Sequence, residues 1–317
     1  MDAAAAPTID ALRPRRKRKG PLRFKPVLPG SLFRDVMEPR PLGGRFRAVR
    51  RIIFVALWTL VSVPVQAVLV ALPGRANHRF ARTYLRVLCY LIGLRVQVVG
   101  VPPEGGAVLY AANHTSWLDI LVLGAVLDAR FVSKGEIANW PIVGWCSRLG
   151  GSVFVSRTRG RTGDEARAMR ARLEGGESLV LFPEGTSNDG TRVLAFRSSF
   201  LSVADAAHAV QPVSLVYDRL GGLPACRRDR PLFAWYGDMD LASHFWRLMR
   251  RPGARATILL HAPIDPADYR NRKALTAAVA DVVAEGASSL RQNRPPRPLA
   301  VGPDGVLAPV AQVAVAD

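Results

Sequence analysis

A run of 21 residues without a charged side chain, at positions 52–72, constrains this chain more than any other feature of its sequence. The run reads IIFVALWTLVSVPVQAVLVAL. As a helix it is long enough to cross the hydrocarbon core of a bilayer, which is about 30 Å thick. A cleaved signal peptide is disfavoured, because a long basic segment precedes the run and no small-residue cleavage site follows it. The run therefore predicts a membrane-attached helix, with a buried core helix as the alternative.

The two flanks of this run favour a helical hairpin over a single membrane span. Residues 1–51 hold 14 lysines and arginines against four acidic residues. After the run, the arginines and apolar residues of positions 75–94 separate onto two faces, which predicts a basic amphipathic helix of the kind that lies in a membrane interface. A single span would carry one basic flank away from the cytoplasm, so we expect a hairpin bent at Pro64 that enters one leaflet and returns. A single span is the alternative.

From residue 94 onward, short apolar runs alternate with helical patterns. The runs that predict strands are RVQVVG, AVLYAAN, ARFVSKG, GSVFVSR, SLVLFPEG, AVQPVSLVY and RATILLHAP. Helical patterns occur in SWLDILVLGAVL, TGDEARAMRARLEGG, SSFLSVADAA and, near the end, NRKALTAAVADVVAEGASSLR. This alternation predicts an α/β fold, with a central, mostly parallel sheet flanked by helices and preceded by the membrane-anchoring two-helix segment.

The chain is accordingly divided into four predicted segments. Residues 1–51 are basic and rich in proline, which predicts a disordered leader, since such a segment buries too little apolar area to fold alone. Residues 52–94 form the hairpin, residues 95–291 the α/β domain and residues 292–317 a flexible tail.

The overall charge leaves two interpretations open. The formal net charge is +19, and 39 of the 44 basic residues are arginines. This excess reflects either a coding bias or attraction to an acidic partner, which is a nucleic acid or an anionic membrane surface. The three cysteines, Cys89, Cys146 and Cys226, are widely spaced. They predict neither a disulfide framework nor a metal site, and they are typical of a reducing compartment.

The stretch NHTSWLDI places His114 and Asp119 five residues apart where a strand passes into a helix. Within one helix this spacing separates two side chains by about 140°, so they can meet only if His114 lies before the helix. Ser116 is a good N-cap, and Asp119 resembles the acidic residue of a capping box that turns back towards the helix start. A carboxylate on one imidazole nitrogen makes the other nitrogen a general base. The alternative is a helix cap beside a polar loop residue.

The stretch SLVLFPEGTSNDG places Glu184 in a turn directly after a strand. Pro183 and Gly185 indicate a tight turn, so we expect Glu184 to be exposed at the carboxyl end of that strand. In an open α/β sheet ligands bind at this edge, and because the run before His114 also ends a predicted strand, we expect both motifs to meet there. The alternative for Glu184 alone is a solvated turn residue.

Together, NHTSWLD and FPEGT resemble the 1-acylglycerol-3-phosphate acyltransferase family, within the glycerolipid acyltransferases that share a His-x4-Asp motif. The similarity extends through SKGEIANWPIVGWCSRLGGSVFVSR and VQPVSLVY, over roughly residues 95–216. The family moves a fatty acyl chain from a thioester, on acyl carrier protein or coenzyme A, to the free hydroxyl of a lysophospholipid. The resemblance implies that His114 deprotonates this hydroxyl while Asp119 orients the ring. It implies no enzyme nucleophile, so Cys146 is expected to be a packing residue, and no cofactor or metal is expected.

The resemblance also implies a substrate-binding set. Glu184, Gly185 and Thr186 would bind the acceptor head group, and Arg157 its phosphate, because a guanidinium fork matches phosphate oxygens. Lys134 is a second candidate for the phosphate. For Arg157 and Lys134 the alternative is a solvated surface charge.

Two departures from the family pattern concern the acceptor. Many relatives read EGTR, whereas here Ser187 follows Thr186, and Ser156 stands where an aspartate often precedes the arginine. Arg192 or Arg197 is expected to replace the missing arginine. The expected acceptor is 1-acylglycerol 3-phosphate, giving phosphatidic acid. The alternative is a lyso-lipid without phosphate, as in the similar bacterial lyso-ornithine lipid acyltransferases.

The resemblance gives the basic segments a role at a membrane. Expected partners are membrane phospholipids and acyl carrier protein or acyl-CoA, with no nucleic acid, at the cytoplasmic face of a bacterial inner membrane. A nucleic-acid-binding protein leaves the apolar run unexplained, and no basic and aromatic module is found. A non-catalytic membrane-binding protein would be expected to lack His114, Asp119 or Glu184. A thioesterase or transacylase with the same base stays open.

Overall fold

The protein is described from a computed structural model. Its described residues are 44–134, 153–155, 162–302, 305–310 and 315–316. The predicted roles of Arg157 and Cys146, and the predicted leader up to residue 43, lie outside them. The side chains of Ser133 and Lys134 also lie outside the description, although their backbone is part of a strand.

The apolar run forms most of a single helix, α1 (Gly44–Ala71), which continues through Pro64. Within the described residues, α1 is the one helix long and apolar enough to cross a membrane, and only 11% of its most apolar window is buried. Large apolar side chains such as Phe54 and Leu60 are exposed. The alternative of a buried core helix is therefore wrong, and α1 has the surface of a membrane anchor.

Helix α2 (Ala76–Ile92) packs against α1 and ends at Gly93, which has a left-handed backbone conformation. The Trp58 indole N–H of α1 donates to the carbonyl oxygen of Tyr84 in α2 at 3.2 Å, and the two rings stack. This confirms a two-helix segment in front of the sheet.

The first turns of α1 are tied to α5 (Leu241–Arg250), a helix that the sequence patterns did not predict. The Arg51 guanidinium donates to the carbonyl oxygens of Met249 and Arg251 at 3.2 and 3.0 Å, and Arg47 donates to that of Arg250 at 3.0 Å. These carbonyls lack partners within the helix, and cationic side chains satisfy them. The basic start of α1 is thereby joined to the rest of the domain.

The sheet confirms the predicted α/β class. Its strands are β1 (Leu94–Val99), β2 (Val108–Ala112), β3 (Arg130–Lys134), β4 (Val153–Val155), β5 (Leu179–Leu181), β6 (Ala209–Leu220), β7 (Leu223–Pro224), β8 (Ala254–Leu260) and β11 (Val315–Ala316). Their order is β11-β1-β8-β6-β2-β5-β3-β4, with β7 beside β6. The pairs β1–β8, β2–β6, β2–β5, β3–β5 and β3–β4 are parallel, and β6–β8, β6–β7 and β1–β11 are antiparallel.

Helices cover both faces of this sheet. Helix α3 (Leu118–Val126) follows β2, and α4 (Thr162–Glu174) and α6 (Arg272–Arg291) complete the set. Alternate residues of β2 face opposite sides, so Tyr110 joins the core beneath α2 and α3, whereas Leu109 joins the core beneath α4 and α6. Because both faces are buried, β2 and β5 are continuous apolar runs rather than alternating ones.

The predicted helix SSFLSVADAA is instead two short 3-10 helices, Ser198–Leu201 and Ala204–Ala206. Leu201 and Ala204 are both buried. Their spacing of three matches the 3-10 repeat better than the α-helical one, and no side-chain cap starts a longer helix.

The described parts of the predicted flexible tail contain strands. Strands β9 (Leu299–Val301) and β10 (Leu307–Pro309) pair with each other, and β11 pairs with the edge strand β1. The Leu299 N–H donates to Nδ1 of His261 at 3.0 Å, and His261 is buried, which lowers its pKa to about 3 and keeps the ring neutral. The tail prediction is wrong for these parts, because composition does not show the free edges and hydrogen-bond acceptors that a segment can reach.

Candidate functional site

His114 lies at the carboxyl edge of the sheet, two residues beyond the end of β2. The intervening residue, Asn113, is buried and bonds to the next strand: its side chain donates to the carbonyl oxygen of Leu215 at 2.9 Å and accepts from the N–H of Leu215 at 2.8 Å. The carboxamide thus continues the hydrogen-bonding pattern between β2 and β6, and it fixes where the chain leaves the sheet.

Asp119 in the first turn of α3 reaches back to His114, as predicted. Its Oδ2 lies 2.8 Å from Nδ1 of the imidazole and accepts from the backbone N–H groups of Thr115 and Ser116 at 2.7 and 2.9 Å. The helix itself begins at Leu118 after Trp117, so Ser116 is not its N-cap residue. The backbone of the loop before the helix is therefore held by hydrogen bonds to the Asp119 carboxylate.

The Asp119 carboxylate is fully buried, with hydrogen-bond donors on both oxygens. Its Oδ1 accepts from the hydroxyl of Tyr217 at 2.7 Å and from that of Thr115 at 3.4 Å. Burial and the neighbouring carboxylate raise the pKa of Tyr217 well above its usual value, so the phenol stays a donor. A buried carboxylate is expensive unless it is this fully hydrogen-bonded.

The contact of Asp119 with Nδ1 leaves Nε2 as the nitrogen of the His114 ring that faces no carboxylate. A carboxylate facing Nδ1 holds the ring proton there, so Nε2 carries the free lone pair. The His114 side chain keeps 19% of its surface exposed, and its ring stacks on Phe182 with centroids 4.1 Å apart. The ring is therefore held in one orientation and remains open to a reactant.

Glu184 is buried, with 2% of its surface exposed, so the expectation of an exposed carboxylate is wrong. Its Oε1 accepts from the backbone N–H of His114 at 2.7 Å, and its Oε2 accepts from the N–H of Leu194 and the side chain of Asn188 at 2.9 and 2.6 Å. Burial raises the pKa of Glu184, and these hydrogen bonds counteract part of that rise. The carboxylate bonds the two motifs to each other rather than facing solvent.

The turn around Glu184 brings other predicted residues near the site. Gly185 has φ of 71° and donates its N–H to the carbonyl oxygen of Phe182 at 2.9 Å, so this position favours glycine. A Cβ there would lie 3.4 Å from the Arg197 guanidinium, which puts Arg197 beside the turn. Thr186 is exposed at the surface, as is Arg192.

The roles predicted for Lys134 and Arg157 stay predictions. Lys134 is the last residue of β3, which runs parallel to β5, so its backbone ends at the same sheet edge as Glu184. Arg157 lies outside the described residues. No group of three or more metal-ligating side chains occurs in the described part of the chain.

The site contains residues that the motifs did not single out: Asn113, Thr115, Asn188 and Tyr217. Asn188 donates to the carbonyl oxygen of His114 at 3.1 Å as well as to Glu184. Tyr217 lies 98 residues beyond Asp119. Nothing in the stretch VQPVSLVY, which Tyr217 ends, predicts that contact. The position of Asn188, two residues after FPEGT, could have indicated that it belongs to the site.

Known proteins are similar to this chain in sequence and in fold. A family model described as Acyltransferase matches residues 95–216. The lyso-ornithine lipid O-acyltransferase of Rhizobium meliloti (strain 1021) is 36% identical over 245 residues, which cover 74% of this chain and 84% of that protein. The 1-acyl-sn-glycerol-3-phosphate acyltransferase of Neisseria meningitidis serogroup B is 31% identical over 235 residues, covering 73% and 89%.

A solved structure confirms the architecture. The crystal structure of the 1-acyl-sn-glycerophosphate acyltransferase PlsC from Thermotoga maritima has a TM-score of 0.56 and covers 77% of this chain and 98% of its own. At 22% identity this likeness shows the fold alone. From the family model and the two relatives, the chain belongs to the lysophospholipid acyltransferase family, which includes the 1-acylglycerol-3-phosphate and the lyso-ornithine lipid O-acyltransferases.

Proposed function

We propose that the protein moves a fatty acyl chain from an acyl thioester to the free hydroxyl of a membrane lysolipid, with His114 as general base. The observation that carries the proposal is the His114 ring, whose Nδ1 lies 2.8 Å from the buried Asp119 while the side chain keeps 19% of its surface exposed. A base held in this way accepts a proton at one defined atom.

The reaction balances without a covalent enzyme intermediate. Nε2 of His114 takes the proton of the acceptor hydroxyl as its oxygen attacks the thioester carbonyl carbon. The carbon–sulfur bond breaks, and the leaving thiolate takes the proton from the imidazolium, which returns the ring to its starting state. General base catalysis of this kind contributes about 10²–10⁴-fold. Holding both substrates at the site supplies the rest of the acceleration.

We propose lyso-ornithine lipid as the acceptor, with 1-acylglycerol 3-phosphate as the second candidate. Two observations support the first: the relative of that name with 36% identity, and Ser187 in place of the arginine that would meet a phosphate. The second acceptor is supported by the Neisseria relative and by Arg197, which stands beside the turn at Gly185. The donor is an acyl carrier protein or coenzyme A thioester, and the reaction would take place at the cytoplasmic face of the membrane that holds α1.

An acyl-transfer assay with both acceptors tests this proposal. Purified full-length protein in detergent micelles is offered each lysolipid in turn, with acyl carrier protein and coenzyme A thioesters. We expect kcat/KM for lyso-ornithine lipid to exceed that for 1-acylglycerol 3-phosphate by about tenfold or more, because Ser187 in place of the family's arginine removes about one charge-assisted hydrogen bond to the phosphate. The reverse preference would identify 1-acylglycerol 3-phosphate as the acceptor instead of lyso-ornithine lipid. Turnover of neither by folded protein would reject acyl transfer.

We expect Glu184→Gln to lower kcat by about tenfold or more and the free energy of unfolding by about 1–3 kcal/mol. The amide places an N–H group where the carboxylate accepts from the backbone N–H of His114 or of Leu194, so one buried donor loses its acceptor. Turnover and thermal unfolding in detergent measure the two effects.

Glu285→Gln is the matched control for Glu184→Gln, because Glu285 is exposed on α6 and the same chemical change there leaves the site intact. We expect this control to keep both kcat and stability. If Glu184→Gln raised only KM for the acceptor and left stability unchanged, Glu184 would contact the head group, as the family resemblance implies.

A further inference from the structure

A second group of charged side chains lies beside the site, in a cavity of about 80 Å³. Thr115, Tyr217, Asp189, Arg230 and Arg291 are among the residues that line it. Thr115 and Tyr217 are also the residues whose groups hold Asp119. Two residues that hydrogen-bond to Asp119 therefore also form part of the cavity wall.

Three arginines line this wall, of which Arg230 and Arg291 are half-buried and Arg227 is exposed. Arg230 begins a short 3-10 helix, Arg230–Leu232, and Arg291 is the last residue of α6. Both side chains are half-buried, and within the described residues neither guanidinium has an ion pair or a hydrogen bond. Burial, followed by the charge of Arg230, lowers the pKa of Arg291. A guanidinium has five N–H donors, and half-burying two of them side by side without acceptors is unfavourable until an anion arrives.

Within the described residues no carboxylate forms an ion pair with these two guanidinium groups, although the charges of Glu184 and Asp189 act on Arg291 and that of Asp189 acts on Arg230. Asp218 is already paired with Arg255. Asp189 accepts from the N–H and hydroxyl of Thr191 through Oδ1, and its Oδ2 has no hydrogen bond within the described part of the chain. The Asp189 side chain is exposed, so it lies where the cavity meets solvent. The cavity thus combines the half-buried Arg230 and Arg291 with the exposed Arg227 and Asp189 at its rim.

The chemistry of the cavity favours a head group rather than a chain. The charged side chains in the wall disfavour an acyl chain, because burying them against a hydrocarbon leaves their polar groups unsatisfied. A carboxylate or a phosphate suits this wall, and each accepts paired N–H groups from a guanidinium. Ornithine joined through its α-amine retains a carboxylate and a side-chain ammonium, whereas a phosphate ester carries negative charge alone.

We propose that Arg230 and Arg291 bind the anionic group of the acceptor's head group, and that Asp189 pairs with the ammonium when the head group is ornithine; this rests on the proposed lysolipid acyl transfer. Both acceptors carry an anionic group, and only lyso-ornithine lipid also carries an ammonium group. Asp189 is therefore a specificity-determining residue between them.

Steady-state kinetics of full-length variants in detergent micelles test the assignment. We expect Arg230→Gln and Arg291→Gln each to raise KM for either acceptor by about tenfold or more, which is the loss of one charge-assisted pair, while kcat and KM for the thioester stay within about threefold. Asp189→Asn should raise KM for lyso-ornithine lipid and leave KM for 1-acylglycerol 3-phosphate unchanged or lower. Arg272→Gln, at the exposed opposite end of α6, is the matched control and should change nothing.

Unchanged acceptor KM in folded Arg230→Gln and Arg291→Gln protein would overturn the proposal, as would a rise confined to KM for the thioester, which would assign the cavity to the donor. Binding of two short probes, an Nα-acetylated ornithine and glycerol 3-phosphate, is measured by calorimetry on the His114→Ala variant. Arg230-dependent binding of these probes supports the pocket even if no lysolipid is acylated, so failure of the proposed function and failure of the pocket remain distinguishable.

Discussion

Replacing His114 by alanine is expected to lower kcat by about 10²-fold or more while KM for the acceptor changes little. The imidazole is the group whose open nitrogen can take the hydroxyl proton, and its other nitrogen is already committed to Asp119 at 2.8 Å. Water in the enlarged site is a far weaker base at neutral pH. Acyl transfer by the variant, measured under saturating thioester, gives the effect directly.

The control for this variant is His208→Ala, which removes an exposed histidine from a loop before β6. Both variants are expected to keep the thermal stability and the liposome binding of the unmodified protein, since the apolar helix α1 lies elsewhere in the chain. If His114→Ala retained its turnover, the general-base role would be rejected, whatever the acceptor.

Asp119→Asn is expected to lower kcat by about 10²–10⁴-fold and to reduce the free energy of unfolding by about 1–3 kcal/mol. The carboxylate accepts the N–H groups of Thr115 and Ser116 through Oδ2 and the hydroxyl of Tyr217 through Oδ1. If the side-chain NH₂ group of asparagine takes the place of either oxygen, it faces an N–H or O–H group that is itself a donor, and both lose their acceptor. It can also drive the His114 ring into the other tautomer, with Nε2 protonated and unable to act as a base.

Tyr217→Phe separates the positioning role of Asp119 from its structural one. It removes one hydroxyl from the fully buried carboxylate and leaves the contact with His114 in place. We expect a comparable loss of stability but a kcat within about tenfold of the unmodified protein. If Tyr217→Phe and Asp119→Asn lost kcat equally, and the pH dependence of kcat did not change between them, Asp119 would serve folding rather than catalysis.

The sequence patterns whose predictions the structure confirms involve residues that are close along the chain. The strand runs AVLYAAN and SLVLFPEG and the helix that begins near Asp119 were all found where the sequence places them. The spacing of His114 and Asp119 was interpretable because both residues belong to one strand-to-helix loop. Apolar periodicity reports which neighbours along the chain share a face, and five residues are enough to define such a loop.

Two of the errors concern partners that lie far away in sequence. Glu184 was expected at the surface, because a turn residue between proline and glycine is normally solvated, yet it is buried against a backbone N–H 70 residues earlier. The C-terminal strands were interpreted as a tail, because their few apolar residues are too short a run to predict pairing with a distant edge. Burial of a charge depends on which donors surround it, and a single sequence does not list them.

The sequence alone determined the class of elements, the long apolar helix and the pairing of His114 with Asp119, since all of these depend on residues that are close along the chain. Only the tertiary structure decided that Tyr217 completes the carboxylate's hydrogen bonds, that Glu184 joins the two motifs, and that Arg230 and Arg291 face one cavity. The first two depend on β2, β5 and β6 lying side by side in the sheet, where desolvation makes a hydrogen bond between distant residues strong and its absence costly.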